Sequence, residues 1–380
     1  MQSRFFTLHR DENGALSIKT NWTYILSIPE FDVLTKTPQS PKWHSEGQYV
    51  IDHVKLCIDK AIEYFVDKKY YDDFDDDSIY IILLSVLFHD IGKGQTTELG
   101  QDGLYHNHNH ANVGEKITRR LLWDMGYHKR EFICKMVKYH MKPIEIIDKE
   151  HWFEKMFDLA MSCGGLRELA LVKMFDLQGS VPTVEGAVKD SMNRISKFIY
   201  IARTLGIYNN PPAMGPNTSL NIHLPKKSSD QCVYVMMGLP GSGKSTMSTT
   251  FNDNIVVVSR DLIRAELGYC KDGEKFIGSS EQEKIVTDMF NKKMLDAASQ
   301  NKNIILDNMN NRREYRDGYK KLLKDYDLKW IYVYCEAPTL DVNKIRRNGQ
   351  IQPEAFDNMV YHFDMPHYSE YDKLMIKISN

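Results

Sequence analysis

Val233-Tyr-Val-Met-Met-Gly-Leu-Pro-Gly-Ser-Gly-Lys-Ser-Thr246 begins as an apolar, strand-forming run and breaks into glycines, a lysine and hydroxyls. From Gly238 to Ser245 every fixed position of a phosphate-binding loop is filled. Gly238, Gly241 and Gly243 let the backbone turn its N–H groups, with those of Ser242 and Thr246, toward phosphate oxygens. The helix that should follow turns its positive end to the same anion. Lys244 can reach the β- and γ-phosphates and Ser245 can ligate Mg²⁺, so ATP or another nucleoside triphosphate is the expected ligand.

Around that loop, strands near 233–237, 255–258, 304–306, 330–334 and 374–378 alternate with helical stretches, which implies an α/β domain with a parallel sheet. Upstream the pattern is different. Residues 48–66 and 187–205 show helical spacing of apolar side chains, and Ile79–Phe88 is apolar nearly all round, as a central helix of an all-α bundle would be. Between the two regions, residues 207–230 are rich in Asn, Pro and Ser and read as a linker. The chain is therefore expected to be multi-domain: a helical domain at 1–206 with a cover segment over the first forty or so residues, a linker at 207–230 and the α/β domain at 231–380.

Composition narrows the function. The chain has 380 residues, 42% hydrophobic and 26% charged, with a formal charge of −2, so any nucleic acid must be held by local patches rather than by a basic surface. Six scattered cysteines form no Cys-x-x-Cys pair and read as reduced thiols, and no apolar run is long enough for a membrane span. A cytoplasmic location is expected. The acidic cluster Asp72, Asp73, Asp75, Asp76 and Asp77 reads as a solvated loop with a helix cap.

Two polar constellations carry chemistry. In the helical region His53, His89-Asp90, His106, His108, His110, His140 and Asp176 adjoin apolar helical stretches, where ionisable groups are costly unless paired or metal-bound. Imidazole and carboxylate donors suit Zn, Mn, Co, Ni or Cu better than calcium. In the α/β region Asp261 sits just beyond a strand end with Arg264 three residues on. A carboxylate there can take a proton from an attacking hydroxyl, and an arginine beside it can grip a phosphate.

His53, His89-Asp90-Ile91-Gly92-Lys93 and Asp176 resemble the signature of the HD phosphohydrolase superfamily. That resemblance implies that His53, His89, Asp90 and Asp176 hold a divalent transition metal, that Lys93 serves the substrate phosphate, and that His108 and His140 hold a second ion. Ser259-Arg260-Asp261-Leu262-Ile263-Arg264 with the loop lysine resembles the 5′-hydroxyl polynucleotide kinases. It implies Asp261 as general base, Arg264 and Asp307 as contacts to acceptor or Mg²⁺, and a lid arginine. This sequence departs from the phage pattern in the lid, which leaves Arg346 and Arg347 as the two candidates.

Together the halves resemble the bacterial bifunctional HD-domain polynucleotide kinases over nearly the whole chain. The implied activity is nucleic acid end healing: removal of 2′,3′-cyclic, 2′- or 3′-phosphates by the first domain and 5′-hydroxyl phosphorylation by the second. RNA is the expected substrate, DNA the second candidate, and a separate ligase the expected partner. Two other readings stay open: a nucleoside or nucleotide kinase fused to a nucleotide phosphohydrolase, and an HD hydrolase regulated by nucleotide occupancy.

Overall fold

The computed structural model describes residues 4–67, 74–211, 230–251, 255–270, 278–347 and 351–378. Its backbone contacts divide the chain into two compact units, Met1–Ile222 and His223–Asn380.

The first unit opens with a hairpin, β1 (Phe6–Arg10) paired antiparallel with β2 (Leu16–Thr20), and two short helices, α1 (Trp22–Leu26) and α2 (Pro29–Leu34). Then come α3 (Val50–Val66), α4 (Asp76–Phe88), α5 (Lys93–Thr96), a second hairpin of β3 (Thr97–Leu99) and β4 (Tyr105–Asn107), and α6 (His110–Leu121). Helices α7 (Tyr127–Tyr139), α8 (Lys142–Glu145), α9 (Trp152–Cys163), α10 (Arg167–Gln178) and α11 (Ala187–Thr204) complete it. To the helical bundle implied by the sequence the structure thus adds two hairpins, one of them in the segment expected to be only a cover and a short helix.

Helix α4 is the axis of the bundle. Asp75 caps it by accepting from Ser78 N at 2.7 Å, and α3, α7 and α10 pack around it. Ile82, Leu83, Leu84, Val86, Leu87 and Phe88 are at most 1% exposed, and each contributes about 1.5–3 kcal/mol of burial. That sum fixes α4 in the centre, and the residues that follow it, His89 and Asp90, are carried inside with it. His53 in the first turn of α3, Asp176 in the last turn of α10 and His140 just after α7 bring four helix ends to one place. Asp76 and Asp77 pair with Arg10 and Lys129; Asp72 and Asp73 lie outside the described residues.

The expected linker begins too early. Ile207 is buried with its N–H on Ala202 O, and Tyr208 O accepts from Leu166 N and Arg167 N, both at 2.8 Å. Those residues belong to the helical unit, and most of the remaining stretch lies outside the described residues.

The second unit has β5 (Cys232–Met237), α12 (Lys244–Ser248), β6 (Ile255–Val258), α13 (Arg260–Glu266), α14 (Ser280–Ser299) and β7 (Asn303–Asp307). It continues with α15 (Arg313–Leu322), β8 (Lys329–Glu336), α16 (Leu340–Arg346), α17 (Pro353–Tyr361) and β9 (Lys373–Ile378). The five strands form one sheet in the order β6-β7-β5-β8-β9, every neighbouring pair parallel. The apolar residues of β5 and β8 are mostly buried, as a sheet covered on both faces requires. Met236 of β5 is level with Asp307 of β7, so the glycine loop and that carboxylate leave the sheet side by side.

Candidate active sites

The four histidines at the helix ends share one orientation. His53 Nδ1 reaches Gly179 O at 3.2 Å and Glu46 Oε1 at 3.0 Å; His89 Nδ1 reaches Val86 O at 2.7 Å. His110 Nδ1 reaches Asn107 O at 2.9 Å and His140 Nδ1 reaches Val137 O at 2.8 Å. These oxygens can only accept, so each Nδ1 carries a proton and each Nε2 is the ring atom turned toward the neighbouring donors. These atoms converge: Nε2 of His53 and His89 are 3.4 Å apart, and Nε2 of His110 and His140 are 3.3 Å apart.

Carboxylates complete two donor groups. Asp176 Oδ1 is 3.2 Å from His53 Nε2, while Asp90 Oδ2 is 3.2 Å from His89 Nε2 and 3.6 Å from His53 Nε2. The other oxygen of Asp90, Oδ1, faces His110 Nε2 at 3.5 Å and His140 Nε2 at 3.9 Å. Ligand atoms about 3–3.5 Å apart are what a cation with bonds of about 2.1 Å requires. The residues therefore fit a divalent metal at His53, His89, Asp90 and Asp176, and an adjoining one at Asp90, His110 and His140. The thiol of Cys57 lies 3.4 Å from His53 Nε2 and belongs to the first group geometrically.

The expected ligand His108 is not there. Asn109 adopts the left-handed conformation (φ 64°) ahead of α6, which leaves His108 exposed and stacked on His106 while His110 turns to His140. Gly92 allows the approach, because a Cβ there would stand 2.0 Å from His110 O.

The electrostatics support ionised acids. Burial presses the carboxyls of Asp90 and Asp176 upward, but Lys93 beside the first and Lys173 beside the second outweigh it and hold both well below the usual range. Burial, then His110 and His89, lowers His140, which keeps it a neutral ligand. Two partners, Glu46 and Lys173, escaped the sequence reading. Glu46 orients His53 and also accepts from His44 Nδ1 at 2.8 Å, and Lys173 Nζ sits 2.6 Å from Asp176 Oδ2, as Lys93 Nζ does from Asp90 Oδ2. A cavity of about 380 Å³ opens on Asp90, Lys93, His110, His140, Lys173 and Asp176.

In the second unit the glycine loop lines a cavity of about 900 Å³ together with Asp261, Asp307, Arg346 and Arg347. Gly238, Gly241 and Gly243 all have φ between 78° and 142°. A Cβ on Gly238 would meet Cys335 O at 2.2 Å and one on Gly241 would meet Asn343 O at 2.6 Å. Lys244 donates to Gly238 O and Leu239 O, both at 2.9 Å, and burial lowers its pKa to about 8. Ser242 Oγ is buried with no hydrogen-bond partner among the described residues. A buried orphan hydroxyl and a desolvated ammonium in one glycine cradle fit a polyanionic ligand. Ser245 and Ser248 both bond Asp307, the pairing of hydroxyl and carboxylate that holds Mg²⁺ in such sites.

Helix α12 has only five residues, so the loop amides and Lys244, more than a helix dipole, must hold the phosphates. Asp261 lines the cavity with 65% of its side chain exposed, while Arg264 spans Asp261 Oδ1 at 2.7 Å and Glu283 Oε1 at 2.8 Å. Arg346 Nη1 donates to Gly241 O at 3.2 Å and Asn343 Nδ2 to Pro240 O at 2.8 Å, which ties α16 to the loop.

Residues 51–171 match the family model of the HD domain, and residues 233–364 match one described as an AAA domain. The chain thus joins a region that matches the HD domain to one that matches an AAA domain and contains the phosphate loop. Asp176 lies just beyond the HD match, although its carboxylate completes that domain's donor set. Among solved structures, a protein provisionally described as a kinase from Chloroflexus aurantiacus is similar at 17% identity and a TM-score of 0.32, over 40% of this chain and 86% of that one. A sugar kinase from Janibacter sp. is similar at 14% identity and a TM-score of 0.30, over 39% of this chain and 85% of that one. No helix among the described residues is long and apolar enough to cross a membrane.

Proposed function

We propose that the chain is a nucleic acid end-healing enzyme. Its HD domain removes 2′,3′-cyclic, 2′- or 3′-phosphates, and its P-loop domain phosphorylates 5′-hydroxyls, with RNA as the preferred strand and a separate ligase using the products. The observation that supports this reading is that one chain holds two cavities, one lined by histidine, aspartate and lysine donors and one lined by a glycine loop with lysine, aspartate and arginine side chains.

In the HD cavity His53, His89, Asp90 and Asp176 would hold a divalent transition metal, and Asp90, His110 and His140 a second, which when bound would provide Lewis acidity and a water of lowered pKa. Glu46 keeps the His53 proton on Nδ1. Lys93, buried yet lining the cavity, neutralises the phosphoryl oxygens.

In the kinase cavity Mg²⁺ and a nucleoside triphosphate would be held by Ser245, Asp307 and the loop amides, with Lys244 and Arg346 or Arg347 on the phosphates. Asp261 accepts the proton of the attacking hydroxyl. Its exposure suits an acceptor that arrives from solvent as the end of a long strand, and Arg264 orients it.

Competition tests the acceptor class. With γ-labelled ATP, a 5′-hydroxyl oligonucleotide and free nucleosides at equal concentration, label should enter the oligonucleotide; label in the nucleosides alone would contradict the proposal.

A further inference from the structure

Lys173 is the residue of the HD cavity that packing does not explain. Helix α10 is buried on nearly every side, with Leu169, Ala170, Leu171, Val172, Phe175 and Leu177 inside, so an apolar residue at 173 would fill the same space without a desolvation cost. Instead an ammonium that is 3% exposed lines the cavity. It meets Asp176 Oδ2 at 2.6 Å and Met141 Sδ, a weak acceptor, at 3.4 Å. An ammonium has three protons, and among the described residues the third meets no acceptor.

Its placement repeats that of Lys93. Lys93 stands three residues after Asp90 and Lys173 three residues before Asp176, each 2.6 Å from the Oδ2 of its aspartate and each opening on the same cavity. Two carboxylates and two ammoniums cancel. Each divalent cation on the donor groups then leaves the cavity with an excess of positive charge, the complement of an anionic phosphoryl group. Lys93 alone would leave that excess smaller by one charge.

We propose that Lys173 is a second phosphate-holding residue of the HD domain, donating with Lys93 to the non-bridging oxygens of the phosphoryl group. The proposal rests on the reading of this cavity as a metal phosphohydrolase and names a residue which that reading does not use. A lysine that merely steadied Asp176 would affect metal binding and leave phosphate binding at saturating metal untouched.

The test is direct binding of inorganic phosphate, by calorimetry, to the full chain loaded with Mn²⁺. Lys244→Ala is present throughout so that the P-loop does not contribute. Adding Lys173→Met should weaken phosphate about ten- to hundredfold, the worth of one or two charge-assisted hydrogen bonds, while the Mn²⁺ dissociation constant changes less than about threefold. Lys173→Arg should recover most of the binding. Circular dichroism and the melting temperature check that the variants fold. Unchanged phosphate affinity in Lys173→Met, its absence in the parent, or a loss that follows Mn²⁺ affinity would each overturn the proposal. Failure of the parent to process oligonucleotide ends counts against the proposed substrate alone, because phosphate binding is read independently of it.

Discussion

His108 and His110 are two residues apart, and only His110 faces a carboxylate of the donor clusters. The left-handed turn at Asn109 makes the difference, and nothing in Tyr105-His-Asn-His-Asn-His reveals which histidine it turns inward. His110→Ala should cut metal-dependent hydrolysis at least about 100-fold, and His108→Ala should stay within about twofold, as initial rates at saturating metal will show. Glu46 stood in view within Trp43-His-Ser-Glu-Gly, but its role depends on a fold that brings it to Nδ1 of His53. Glu46→Gln should weaken metal binding about 10–100-fold, measured by titration, because the ring of His53 loses its fixed orientation. Lys173 looked like any helical lysine. By contrast Gly238, Gly241, Gly243, Lys244 and Ser245 were legible because a phosphate loop is local and its residues act where the chain places them.

At the scale of elements, the strands and helices of the P-loop domain follow the alternation read from the sequence within a few residues. The hairpin of β1 and β2, whose turn is held by Asp11 Oδ1 accepting from Asn13 N and Ala15 N, did not show, because five-residue strands with one buried face give too short a pattern. Helices α6 and α7 are joined by a buried network in which Glu131 accepts from Arg119 at 2.9 Å and Arg130 at 2.8 Å. Burial pushes the Glu131 carboxyl upward, but the two guanidinium groups outweigh it and lower its pKa to about 2. Its folded pKa lies below the unfolded one, so its stabilisation is complete above about pH 4.5 and is lost as pH falls toward about 2. Glu131→Gln should cost about 3–5 kcal/mol near neutral pH, because it removes the carboxylate shared by two buried guanidinium groups and leaves Arg119 with Glu115 at 2.7 Å, and should flatten the acid limb of a denaturation curve. Where α10 ends, a Cβ on Gly179 would stand 2.4 Å from Cys57 Sγ. Gly179→Ala should therefore push α10 from α3, lowering stability by about 1–3 kcal/mol and loosening the metal site, as chemical denaturation and metal titration will report.

For the whole molecule, each cavity draws its named residues from one unit, so the two reactions should be separable. The division into a helical and an α/β half was legible because hydrophobic period changes from helical to alternating strand and helix near residue 230. Where the linker begins was not, since Ile207 and Tyr208 are held by contacts distant in sequence. The central claim is that one chain removes phosphate from one end of a strand and adds it to the other at independent sites. The most direct measurement is a single incubation of an RNA bearing a 5′-hydroxyl and a 2′,3′-cyclic phosphate with ATP, Mg²⁺ and a transition metal, using the unaltered chain, Lys244→Ala and Asp90→Ala. The unaltered chain should change both ends. Lys244→Ala should lose 5′ phosphorylation by at least about 1000-fold while still opening the cyclic end, and Asp90→Ala should do the reverse. Loss of both activities from either folded variant, or an RNA left unchanged at both ends by the parent, would contradict the account.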